Sequence, residues 1–233
     1  MGFKGVVHDS RQIWLVMEYI DGVDLFDLLV TKNWFSEADT IDVMGQVLRA
    51  VDFLHRNAVV HRDLKPENLM VRFVEYEGDD GVKQKRPEVK IIDFGFSTLL
   101  SLQAGTGGGR QGSNSTATMS DSRSDYPKTN PLETHMGSLS YISPQILLKK
   151  PYDGYLADAY SLGVVTFTLL NGRQPYQEGP KMIYSMLGRN LQWTATGLSA
   201  AGKECVEGML DPSEGTRWNV CQVLQSGWLE IKK

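Results

Sequence analysis

Apolar residues open this chain in two short runs, residues 5–7 and 13–17, on either side of the polar stretch His8-Asp9-Ser10-Arg11-Gln12. Two β-prone runs around a polar turn predict a hairpin. From Ser36 the period changes. Ile41, Met44, Val47, Leu48, Val51 and Leu54 recur at three and four, which predicts an amphipathic helix. Ser36 with Asp39 has the look of a capping-box start for it. Residues 156–170 are apolar on almost every side, so a helix there is expected to be buried all round. Later helices are predicted over 198–210 and 220–229, divided by the turn Asp211-Pro212-Ser213.

Two stretches interrupt this order. Residues 75–87 are polar and charged and separate the apolar runs 69–73 and 89–93. Those runs would pair as a hairpin, and the polar stretch between them reads as a long surface insertion. Residues 101–131 are rich in Gly, Ser, Thr and Asn, a composition that cannot bury enough apolar area to offset its ordering entropy. Disorder is expected there. Gly107, Gly109 and Gly112 inside it satisfy G-x-G-x-x-G, but Ser, Asn and Thr follow with no apolar run. A phosphate-cradling loop needs flanking strands or a strand and a helix, so linker composition explains the match.

At 233 residues the chain is long enough for a full core, and its net charge of -4 comes with no sizeable basic run. That argues against nucleic-acid or membrane-surface binding. No stretch reaches the roughly 18 apolar residues of a membrane span. Cys205 and Cys221 lie far apart without metal-ligand spacing and read as core residues of a reducing compartment. The expectation is a soluble cytoplasmic protein, or a nuclear one.

The chemistry is concentrated in His61-Arg62-Asp63-Leu64-Lys65-Pro66-Glu67-Asn68-Leu69 and in Ile91-Ile92-Asp93-Phe94-Gly95. Together they supply a carboxylate to orient a hydroxyl, a cation for a transferring phosphate, and two hard oxygen ligands for Mg2+. The first run resembles the catalytic loop of eukaryotic protein kinases, and the second resembles their metal-binding motif. This resemblance implies an α+β, protein-kinase-like fold: a mostly α-helical large lobe and remnant small-lobe strands. It implies transfer of the γ-phosphate of Mg-ATP to proteins. Asp63 would orient the acceptor hydroxyl, Lys65 would neutralise the phosphoryl group, and Asn68 and Asp93 would hold Mg2+. Lysine two residues after Asp63 is the pattern of serine/threonine kinases.

Further matches follow from the same resemblance. Met17-Glu18-Tyr19-Ile20 resembles the hinge, with Met17 as gatekeeper, backbone groups of Glu18 and Ile20 on adenine, and Met70 as the apolar floor. Asp24 falls among the nucleotide contacts. Asp24 and Glu67 also sit where basophilic relatives meet an arginine N-terminal to the acceptor, whereas a third acid of such enzymes is Thr168 here. The run from Thr134 to Gln145 resembles the end of the activation segment. Thr134 falls at the activating phosphosite, where an upstream kinase or autophosphorylation would act and Arg62 would receive the phosphate. Ser138 would hydrogen-bond Asp63 and Lys65. Asp158 would accept the catalytic loop's backbone N–H groups. Gln145 departs from the family's Glu, and its partner Arg217 is expected to lack a counter-charge, so that Gln145→Glu would stabilise. Arg110-Gln111-Gly112-Ser113 fits an acceptor motif for autophosphorylation.

The motifs are most similar to those of the calcium/calmodulin-dependent-kinase-like group. Residues 1–20 correspond to the last small-lobe strands and the hinge, and 21–233 to the large lobe. The domain is therefore expected to be N-terminally truncated, without a glycine-rich loop or strand lysine. Two functions follow: a kinase that is weak or inactive in isolation, or a pseudokinase-like scaffold that transfers nothing. Apolar surface at Met17, Met70 and Val71 is expected to be exposed.

Overall fold

The computed structural model describes residues 2–78, 81–101 and 126–231. Strands β1 (Phe3–His8) and β2 (Ile13–Met17) pair antiparallel with Val7 opposite Trp14. Asp9 Oδ1 closes their turn by accepting the N–H groups of Arg11 and Gln12 at 2.7 and 2.8 Å. A connector then leads to β3 (Val23–Asp24) and α1 (Leu25–Lys32), which Asp24 caps by accepting the Asp27 N–H at 2.8 Å.

Helix α2 (Glu37–Arg56) starts where the periodicity placed it, with Ser36 Oγ accepting the Asp39 N–H at 3.0 Å. Its buried face, Val43, Met44, Val47, Leu48 and Val51, packs on α4 (Gly154–Asn171) in one core. Helix α4 has its whole run from Ala157 to Leu170 buried. It ends because Gly172 takes φ 67°, and a Cβ there would lie 2.4 Å from Asn33 O. Helices α3 (Pro144–Leu147), α5 (Met182–Leu187), α6 (Ala200–Met209) and α7 (Val220–Gln225) complete the helical body. The last helix is shorter than its apolar pattern predicts. Gly227 takes φ 73° and a 3-10 turn, Trp228–Glu230, replaces the rest.

Three expectations are corrected. Residues 75–77 and 83–87 of the polar stretch continue two strands, β5 (Leu69–Glu77) and β6 (Lys83–Ile91), whose register runs from Leu69 opposite Ile91 to Glu77 opposite Lys83. Opposite charges face each other along it, Arg72 with Glu88, Glu75 with Lys85 and Glu77 with Lys83, so a charged sequence is compatible with a ladder. The stretch 101–131 is ordered at both flanks: Asn130 donates to Ser101 O at 3.1 Å, and Tyr126 is buried and bonded to Asp52. Residues 102–125, with Gly107, Gly109, Arg110, Gly112 and Ser113, lie outside the described residues. Val71 is buried in the main core rather than exposed, while Met17 is open. Both cysteines are buried, and neither is in a disulfide. Among the described residues no helix is long and apolar enough to cross a membrane.

Candidate active site

Helix α2 and the short strand β4 (Val59–Val60) deliver the chain to the loop from His61 to Asn68. The loop is shaped from behind by Asp158, on α4, which accepts the His61 N–H at 2.9 Å and the Arg62 N–H at 2.8 Å. Arg62 is held at φ 67°, a conformation that costs a non-glycine residue of order 1 kcal/mol. Those two bonds offset the strain. Buried His55 lies 3.0 Å from Asp158 Oδ2 through Nε2, so the carboxylate is fully desolvated yet partnered.

Asp63 sits in front of this support. Its Oδ1 accepts both the Ser138 hydroxyl, at 2.9 Å, and the Ser138 N–H, at 3.0 Å. Lys65 Nζ lies 3.1 Å from Asp63 Oδ2 and donates to Ser138 Oγ at 2.9 Å. Asn68 Nδ2 donates to Asp63 O at 2.8 Å and to Oδ2 at 3.1 Å. Burial pushes the Asp63 carboxyl up, but the bonds from Lys65 and Ser138 outweigh it and hold the group below its ordinary value. A carboxylate kept ionised beside a cation can orient a hydroxyl at neutral pH.

Asp93 reaches the same cleft through its backbone. Ile92 N–H donates to Asn68 O at 2.9 Å, and His61 Nε2 lies 3.1 Å from Ile92 O. These bonds carry the end of β6 onto the loop. Asp93 itself takes φ 56°, is exposed, and accepts the Gly95 N–H at 3.1 Å through Oδ1. The Phe94 ring stands edge-on to His61, with centroids 4.9 Å apart. The donor set fits Mg2+. Asn68 holds Asp63 through its amide nitrogen, so its carboxamide oxygen is the atom that would serve a cation. Among the described residues no group of three or more His, Cys, Asp or Glu could hold a metal.

Two of the residues assigned to the nucleotide, Asp24 and Met70, lie along one row of the β3–β5–β6 sheet, while Met17, Glu18 and Ile20 lie outside it. Asp24 on β3 pairs with Met70 on β5, and Met70 pairs with Lys90 on β6. Cross-strand partners point to the same face, which puts Met70 between the other two. Met17 ends β2 and is exposed, Ile20 is buried, and Glu18 N–H donates to Gly2 O at 2.7 Å.

The protein kinase domain family model matches residues 1–229. The chain belongs to that family. Similar relatives include CBL-interacting protein kinase 9 of Oryza sativa, 28% identical over 229 residues, covering 97% of this chain and 42% of the relative. CBL-interacting serine/threonine-protein kinase 15 of Arabidopsis thaliana is 30% identical over 224 residues, covering 96% and 45%. Ribosomal protein S6 kinase alpha-2 of Mus musculus is 29% identical over 235 residues, covering 97% and 27%. The chain thus spans less than half the length of these curated relatives.

In this kinase domain Gln145 does meet Arg217, whose Nη2 donates to Gln145 Oε1 at 2.9 Å. As expected, the hydrogen bonds from this guanidinium go to neutral oxygens, those of Gln145, Asp211, Leu156 and Pro212, and to no carboxylate among the described residues. Burial lowers the Arg217 pKa, but the charges of Glu214, Asp211 and Asp153 act against that. Arg217 also donates to Asp211 O at 2.7 Å and stacks 5.0 Å from the Tyr160 centroid. Gln145 Nε2 donates in turn to Pro212 O at 2.7 Å, a bond no glutamate could make.

Thr134 is exposed, and its carbonyl accepts the Tyr152 hydroxyl at 2.9 Å. Burial raises the Tyr152 pKa and the nearby Arg62 guanidinium acts against that, so Tyr152 is a common neighbour of Arg62 and Thr134. Arg62 Nε donates to Phe96 O. Sequence reasoning missed Tyr152, His55 and Lys90, which resemble ordinary aromatic, helical and strand residues until the fold places them. It also missed Glu178, whose carboxylate accepts the Ser140 hydroxyl two residues past Ser138. The alternation of charge along β6 was the one available signal for Lys90.

Proposed function

We propose that this domain transfers the γ-phosphate of Mg-ATP to serine or threonine hydroxyls of proteins. The observation that carries the reading is the closed cluster of Asp63, Lys65 and Ser138, with Asn68 and the Asp93 strand bonded to it. In that arrangement Asp63 orients the acceptor hydroxyl for in-line attack, and Lys65 faces the charge that develops on the transferring group. Asn68 and Asp93 would hold Mg2+, which supplies neutralisation of the phosphate oxygens. Met17, Glu18 and Ile20 would receive adenine over Met70. Lys65 and Ser138 together favour Ser/Thr acceptors over tyrosine, and the motif set favours the calcium/calmodulin-dependent-kinase-like group.

Substrates with arginine N-terminal to the acceptor suit the exposed Glu67, less so Asp24, one oxygen of which caps α1. A phosphate on Thr134, placed by another kinase or by the enzyme itself, would arrive near Arg62 through their common neighbour Tyr152. Residues 1–20 act as small-lobe strands and hinge, and 21–233 as the large lobe, in a cytoplasmic or nuclear protein. The second reading, a pseudokinase-like scaffold, is favoured by the exposure of every residue of β2 and of all but one residue of β1. In the family the loop and lysine that cover the triphosphate belong to other strands. A Mg-ATP thermal shift that disappears in Asp93→Ala, with phosphate transfer to an Arg-x-x-Ser peptide that disappears in Asp63→Asn, supports the kinase. A shift without transfer in the full-length protein selects the scaffold.

A further inference from the structure

A chain of charges runs from the base of the long hairpin to the hinge. Arg72 Nη2 donates to both oxygens of Glu88, at 2.8 and 2.9 Å. Lys90 Nζ lies 3.6 Å from Glu88 Oε1 and donates to Glu18 Oε1. The other Glu18 oxygen accepts the Gly2 N–H at 3.0 Å. Lys90 and Glu18 are 21% and 27% exposed at their side chains, so water screens the pair only in part. The bonds to Lys90 and Gly2 hold the Glu18 carboxyl below its ordinary range.

The position of this pair matters more than its strength. Lys90 stands directly across the ladder from Met70, and Met70 stands across from Asp24. The ammonium therefore rises beside the floor assigned to adenine and reaches over to the residue whose carbonyl would receive it. The connector itself lies close on the sheet: a Cβ on Gly22 would sit 2.4 Å from Val71 O. Strand β2 has all five residues exposed, so little packing fixes the angle at which the hairpin leaves residue 18.

We propose that Lys90 is a positioning residue for the nucleotide, an ionic latch that ties the hinge carboxylate Glu18 to the sheet carrying the adenine floor. The latch sets the height of the slot between Met70 and the backbone of residues 18–20. It acts on nucleotide affinity and leaves the Asp63 cluster untouched, because among the described residues the side-chain bonds of Lys90 go to Glu18 and Glu88 and not to that cluster. The inference rests on the nucleotide reading given above and adds to it a residue that makes no contact with phosphate.

The test uses the full chain, a fluorescent ATP analogue with Mg2+, and amide hydrogen exchange. Lys90→Met is expected to weaken analogue binding about 3- to 10-fold, the loss of one charge-assisted hydrogen bond. It is also expected to raise exchange at residues 18–22 while leaving exchange at 61–68 unchanged. Glu18→Lys alone should weaken binding further through like charge, and Glu18→Lys with Lys90→Glu should recover most of that loss. Where transfer is measurable, KM for ATP moves and kcat does not. Unchanged affinity and exchange in Lys90→Met, or no recovery in the swapped pair, overturns the latch while the kinase reading stands. Failure of the unaltered chain to bind the analogue overturns the nucleotide reading and the latch with it.

Discussion

Ser138 and Asp63, 75 residues apart in sequence, are joined by two hydrogen bonds to one carboxylate oxygen, from the hydroxyl at 2.9 Å and from the N–H at 3.0 Å. The segment bearing Ser138 is thereby fixed to the loop bearing Asp63. Lys65 closes the triangle by donating to the same hydroxyl. The relationship ties the acceptor-facing segment to the residue that would orient the acceptor, so its loss acts on turnover before it acts on folding.

Ser138→Ala keeps the backbone bond and removes the hydroxyl one. Peptide phosphorylation by the full-length protein is expected to fall about 10- to 100-fold in kcat, with Ser138→Thr retaining most activity. The melting temperature should change little. A kcat equal to that of the unaltered protein would show that the hydroxyl positions nothing.

The lowered pKa of Asp63 gives a pH test. A carboxyl depressed by folding contributes stability that is fully present above its unfolded value, near the ordinary 3.8, and that is lost as pH falls through the lower folded value. Lys65→Met removes an opposing charge and leaves burial to act, so the folded pKa rises. Its stability curve should lose the acid-side contribution at higher pH than the unaltered protein does. Urea unfolding from pH 3 to 7 would show this as converging midpoints at the acid end, roughly within the spread expected for one carboxyl. Parallel curves for the two proteins would refute the assigned cause.

Asp158 holds the loop from His61 to Asn68 from behind by accepting the His61 and Arg62 N–H groups. Asp158→Asn sets an amide N–H against one of those donors and leaves it unsatisfied in the core. The expected cost is about 2–4 kcal/mol by denaturant unfolding. Exchange of the His61 and Arg62 amides should rise by more than that of the core of α4. Equal protection in both proteins would mean that the loop keeps its shape without the carboxylate.

The catalytic loop, the Asp93 strand, α2 and α4 were legible because each is written in contiguous residues: a nine-residue loop motif, a strand ending in Asp93, and apolar periods read directly. The ends of β5 and β6 were not. Their charges suggest a solvated loop, and only the register shows that Glu75 meets Lys85 and Glu77 meets Lys83. The partners of Arg217 were hidden for a different reason: beside Gln145 its guanidinium donates to the backbone carbonyls of Leu156, Asp211 and Pro212, and the identity of residue 145 says nothing of these. Long-range partners chosen by the fold, such as His55 for Asp158 and Lys90 for Glu18, leave no mark in local spacing.

Gln145 and Glu214 are expected to be coupled. Gln145→Glu adds a charge beside Arg217 but turns an oxygen toward Pro212 O, where the amide now donates at 2.7 Å. Glu214 already acts on the same guanidinium. The substitution alone should change stability by less than about 1 kcal/mol. In a Glu214→Gln background it should be more favourable, by about 1 kcal/mol in a double-mutant cycle. Additive effects would show that the two sites do not share Arg217.

Gln46 gives the sharpest test of the long hairpin. Its Oε1 accepts the Val89 N–H at 3.1 Å, and its Nε2 donates to Pro87 O at 2.9 Å, so one amide on α2 clips the outer backbone of β6. Gln46→Leu keeps the volume but leaves both backbone groups of a partly buried strand without that partner. The cost expected is about 1–3 kcal/mol, against less than about 0.5 kcal/mol for substitutions at the exposed tip around residue 82. Because β6 continues into Ile91, Ile92 and Asp93, the effect should travel along the strand. Amide exchange at residues 89–93 should rise in Gln46→Leu, and stabilisation by Mg-ATP should weaken as the Asp93 carboxylate loses its fixed position. A destabilised Gln46→Leu protein with unchanged exchange at 89–93 would confine the clip to the hairpin and separate it from the Asp93 end of the strand.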